Sequence, residues 1–101
     1  MPTISSLLGD LQIKSETIVN NHLSKYDEYI VKNPTSTKEF FFHSVYPILN
    51  EQLSSVMTNT FHEAIIYDLS PNEGSIKLII GVQKIKLDSI QDFLDKLTKK
   101  I

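Results

Sequence analysis

The sequence predicts an α+β fold in one domain over residues 1–101: two N-terminal helices, a β-hairpin with a possible short third strand, and a C-terminal amphipathic helix. Three observations lead there. Apolar residues recur at helical spacing through the first half, the spacing falls to two on either side of a Pro/Gly turn cluster at 70–74, and helical spacing returns near the end.

At about 100° per residue, Ile4, Leu7, Leu8, Leu11, Ile18, Val19, Leu23, Tyr26, Tyr29 and Ile30 share one face of a first helix. Thr3 is placed to cap it, and Asn33-Pro34 closes it because a residue before proline avoids the helical region. Such a helix would be about 40 Å long, which predicts either a bend near Gly9 and Asp10 or a projecting end. The polar stretch Asn33 to Thr37 then connects to a second helix, with Ser36 and Glu39 at capping-box spacing. That helix is expected from Lys38 to about Thr58, on a broad stripe that includes Phe41, Phe42, Val45, Tyr46, Ile48, Leu49, Leu53, Val56 and Met57. Pro47 lies inside it and predicts a kink or break, since proline donates no bond to the carbonyl four residues back.

Two runs read as strands, Glu63 to Leu69 and Ser75 to Val82, around the turn cluster Ser70-Pro71-Asn72-Glu73-Gly74. Ile76, Leu78, Ile80 and Val82 alternate, but beyond Gln83 the apolar positions shift to Ile85 and Leu87. That change of parity predicts a bulge, or a tight turn into a third strand, between Gly81 and Lys84. The last helix is expected from Asp88 or Ser89, on a stripe of Ile90, Phe93, Leu94, Leu97 and Ile101. Its acidic residues come first and its lysines last, as the helix dipole favours.

A chain of 101 residues, 41% hydrophobic and 22% charged, has the profile of one globular domain. Cysteine is absent, which removes disulfides, thiolate metal sites and a cysteine nucleophile. With no signal-like N-terminus and no run near the roughly 18 apolar residues of a membrane span, the expectation is an intracellular, cytoplasmic protein without membrane contact. All ten basic residues are lysine, so the bidentate fork of arginine is missing from any anion site.

Catalytic constellations are not evident. His22 falls within the first apolar stripe, His43 lies four residues after Glu39, and His62 stands beside Glu63; none forms the i, i+4 histidine pair of a helical metal site. Gly9, Gly74 and Gly81 are too far apart for a phosphate-binding loop, and no nucleophile elbow occurs. The sequence therefore predicts no enzyme, no metal and no cofactor.

It predicts a protein-protein interaction module instead, a homodimer or a small subunit of a larger assembly. Phe40 and Ile13 lie opposite the apolar stripes of their helices, and Ile66 and Ile79 would face away from the core side of the hairpin, whose unpaired edge invites strand addition. These four are the candidate protein interface. The alternative is nucleic-acid binding through Lys77, Lys84, Lys86, Lys96, Lys99 and Lys100, because residues 76–101 carry net charge +3 against −5 for residues 1–75. No aromatic side chains interleave those lysines for stacking on bases.

Overall fold

Thr3 opens the first helix as expected. Its hydroxyl accepts the Ser6 backbone N–H at 3.1 Å, while its own N–H donates to Ser6 Oγ at 2.8 Å, so two donors that the first turn leaves free are satisfied together. From there the computed structural model, which describes residues 3–68 and 73–100, builds three long helices: α1 (Ile4–Lys32), α2 (Lys38–Ile66) and α3 (Glu73–Lys99).

The α+β prediction is therefore corrected. No strand occurs among the described residues, and the fold is all-α. Residues 63–66 of the first predicted strand are the end of α2, which runs eight residues past its expected stop at Thr58, Tyr67 and Asp68 form the turn after it, and Leu69 lies outside the described residues; the second strand, the third and the expected start of the last helix all lie within α3. Of the predicted turn, residues 70–72 lie outside the described residues, and Glu73 and Gly74 are already in α3. The physical reason is that alternation is ambiguous in a helix with apolar residues on two faces. Residues two apart lie about 200° apart around a helix, so Ile76, Leu78, Ile80 and Val82 fill opposite sides in turn. The parity shift after Gln83 is the inner stripe passing from Val82 to Ile85, not a bulge.

α1 is continuous through Gly9, so the predicted bend is absent. Its length is matched by its neighbours at 29, 29 and 27 residues, in a bundle measuring 52 × 18 × 17 Å. Gly9 is exposed, and a Cβ there would meet nothing within 4 Å. Gly9→Ala is accordingly expected to stabilise the fold by about 0.5–1 kcal/mol, measured as a higher urea midpoint. Gly81 is the opposite case. A Cβ at that position would stand 2.6 Å from Leu8 Cδ1, so the Leu8 side chain of α1 occupies the space a larger residue would need.

Thr37, not Ser36, caps α2, accepting the Phe40 N–H at 3.1 Å; Ser36 Oγ is engaged by the Tyr29 hydroxyl at 2.6 Å. α2 runs through Pro47 without a break. It ends at Tyr67 and Asp68, where Asp68 adopts φ 53° and donates its N–H to the Ile65 carbonyl. Aspartate is among the few non-glycine residues that tolerate this left-handed conformation.

Side-chain contacts give the topology. His22 meets Gln52 across the antiparallel α1 and α2, while Lys77 reaches Ser5 and Lys100 reaches Asp27, so α3 runs parallel to α1. α1 packs along both partners, and α2 and α3 touch over a much shorter stretch. The core contains Leu7, Leu11, Val19, Leu49, Leu53 and Leu97, with Phe93 joining α3 to Phe42 of α2 at 5.9 Å between ring centroids. Near the α2 N-terminus, Phe41 packs against Tyr26 and Tyr29 at 5.0 and 5.1 Å. There Lys38 donates to the Thr98 carbonyl at 2.9 Å and to that of Lys100, placing a cation at the negative end of the α3 dipole.

Candidate interaction surface

α3 carries two apolar stripes. The inner one, Leu78, Val82, Ile85, Phe93 and Leu97 with Ser89 between Ile85 and Phe93, advances by the three- and four-residue steps of a buried helix face, and its members are buried or half-buried. The outer one lies on the opposite side of the helix: Ile76 is 61% exposed, Ile80 61% and Leu87 68%, with Leu94 extending the same line. From Ile76 the outer line passes through Ile80, Gln83, Leu87 and Leu94, which fall on the steps of a coiled-coil seam, while Ile90, at the seam position between the last two, is half-buried and packs against the core. One helix has one core face to spend on its own bundle. A second apolar face in water has no such partner within the chain.

The end of the bundle that holds the start of α3 and the end of α2 is the more apolar one. Ile65, Ile66 and Tyr67 are exposed at the close of α2, as are Ile76, Ile79 and Ile80 in the first turns of α3. Scattered apolar residues are ordinary on a protein surface; this end of the bundle gathers six of them.

The four residues predicted for the interface are all exposed, but they do not form one patch. Ile66 and Ile79 belong to the apolar end just described. Phe40 lies in the first turn of α2, at the other end of the bundle beside the close of α3, and Ile13 stands on the outer face of α1. The strand edge that was to present Ile66 and Ile79 does not exist among the described residues, so the strand-addition mechanism is withdrawn. The outer stripe of α3 was missed in the sequence, although its heptad spacing was available to find it.

The six lysines of the nucleic-acid alternative are distributed around α3 and along its length. Lys77 and Lys84 lie on one flank of the outer stripe and Lys86 on the other; Lys96 is paired with Asp92 at 3.1 Å, and Lys100 with Asp27 at 3.0 Å. No single basic face results from this placement.

The histidines are apart. His22 is buried, its Nε2 2.8 Å from Gln52 Oε1 and its Nδ1 without a protein partner; Ser15 Oγ, also on the inner face of α1, is buried and likewise unpartnered. His43 and His62 are exposed on α2. A solvent-open crevice of about 350 Å³ between α1 and α3 gathers Gln12, Glu16, Asn20, Asp88 and Asp92, with Lys96 beside Asp92. No group of three His, Asp or Glu among the described residues is placed to hold a metal ion. No helix among them is long and apolar enough to cross a membrane.

The chain matches no protein-family model, no curated protein and no solved structure.

Proposed function

We propose that the chain is a non-enzymatic protein-protein interaction module, acting as a homodimer or as a small subunit of a larger assembly. The outer apolar stripe of α3 carries this reading, because Ile76, Ile80 and Leu87 repeat at seam spacing on a face that α1 and α2 do not cover. Association would bury those side chains by helix-helix packing, with the charged residues along the stripe setting orientation and partner choice. The cysteine-free composition supports a place inside a cell, in the cytoplasm.

Light scattering across a concentration series tests the self-associating form. A mass rising above the 11.5 kDa of one chain is expected, and Leu87→Glu should return it to one chain with the helical circular dichroism intact. If the wild-type chain stays a folded monomer throughout, the subunit form is tested by capture from the native host with wild-type and Leu87→Glu baits. Proteins retained by the first and lost by the second support it, whereas identical capture by both contradicts the reading.

A further inference from the structure

We infer that the occupant of the α3 outer face is a second copy of the chain, with the two α3 helices packed antiparallel about a two-fold axis near Lys86 and Leu87. This rests on the interaction-module reading and adds to it the partner and its orientation. The basis is the charge pattern on one flank of the stripe. On the side toward α1, the exposed residues are Lys77 and Lys84 in the first half of the helix and Asp88 and Asp95 in the second. Each pair is spaced by seven, so all four stay beside the same seam.

In an antiparallel helix pair this flank faces its own copy running the other way. Lys84 then stands opposite the partner's Asp88, and Lys77 opposite the partner's Asp95, with every contact made twice by symmetry. The same axis, within a residue or two, sets Ile80 against the partner's Leu94, Leu87 against the partner's Leu87, and Gln83 near the partner's Gln91. A parallel pair places this flank against the other one, where Ile79 and Lys86 offer no acidic counterpart to Lys84. The charge pattern thus selects the antiparallel arrangement, since an in-register parallel pair would match each seam residue with its own copy but leave these four charges without partners. Lys86, on the flank toward α2, meets its own copy near the axis; this is the one like-charge contact in the set, and its long stem lets the ammonium groups separate.

The absence of cysteine permits a direct test with single-cysteine variants of the full chain. Leu87→Cys and Ile76→Cys both replace exposed residues, and retention of helical circular dichroism and of the dimer mass is checked first. Near the axis, two copies of position 87 come within disulfide reach, whereas two copies of position 76 would be about 30 Å apart at helical rise, well beyond a bridge of about 7 Å between Cα atoms. Under mild oxidation Leu87→Cys is expected to give a covalent dimer and Ile76→Cys none. Cross-linking at both positions, at neither, or only at 76 overturns the arrangement.

A charge exchange provides the second measurement. Lys84→Asp and Asp88→Lys should each weaken the dimer several-fold by setting like charges across the axis, and the double variant should recover most of the loss. Additive losses in the double variant overturn the pairing. A dimer with the wrong cross-linking pattern refutes this orientation but leaves the interaction-module reading in place. A wild-type chain that stays a folded monomer refutes self-association itself, and the subunit form then stands or falls on the capture experiment.

Discussion

Phe93→Ala is expected to cost about 3–5 kcal/mol of folding stability, the range for truncating a fully buried phenylalanine. Phe93 is 0% exposed and stacks on Phe42, and it does so where it matters most. α2 and α3 share the shortest helix-helix contact in the bundle, so the Phe42–Phe93 stack is a large part of what joins them. A cavity there cannot close unless α2 and α3 move together, which their packing on α1 resists. For a small domain whose whole stability is on the order of 5–15 kcal/mol, the variant should unfold at a much lower urea concentration, with a loss of tens of degrees in Tm. A loss below about 1 kcal/mol would show that Phe93 does not sit in the core.

Pro47→Ala is expected to act in the opposite direction, stabilising the chain by about 2 kcal/mol. Proline inside a helix costs about 3 kcal/mol relative to alanine, because it donates no hydrogen bond and its ring crowds the preceding turn. In α2 the carbonyl deprived of its donor is that of His43. Part of the gain is returned, since proline also restricts the unfolded chain, by about 0.4–1 kcal/mol. Pro47 is exposed, so alanine sacrifices no buried packing. Urea unfolding of the two proteins measures the difference. A variant less stable than the wild type would mean that the proline fixes a local geometry on which the packing of α2 depends.

These two positions also show how much of the fold could be read in advance. The apolar stripes of α1 and of the first part of α2 were legible because each has one dominant face, and the Thr3 cap and the Asn33-Pro34 stop are local signals that tertiary packing did not overrule. Phe93 and Leu97 were placed on a helical stripe and are core. The error lay in residues 63–66 and 73–87. Isoleucine accounts for thirteen of the 101 residues and alanine for one, so β-branched side chains that ordinarily favour strands carry less information here. The second face of α3 then turned a helical pattern into an alternating one.

The candidate site was only partly legible, for the same cause. Ile66 and Ile79 were singled out as apolar residues facing away from the core, and both are exposed at the apolar end of the bundle. Their supposed setting, a strand edge, was not. Ile76 and Ile80 alternate with Ile79 and so would have faced the core side of the hairpin, and once the segment is helical they move to the outer face with Leu87. Burial follows from the period assumed: the wrong period put Ile76 and Ile80 in the core beside Leu78 and Val82, of which only the last two are buried.

Backbone chemical shifts over Ile76 to Leu87 test this most directly, because both the all-helical fold and the outer stripe depend on that segment. Helix moves Cα resonances downfield of their random-coil values and strand moves them upfield. An unbroken run of downfield Cα shifts through Gly81 and Gln83 is the predicted result. Upfield shifts over 76–82 with a break near Gln83 would restore the hairpin and remove the surface on which the proposed association rests.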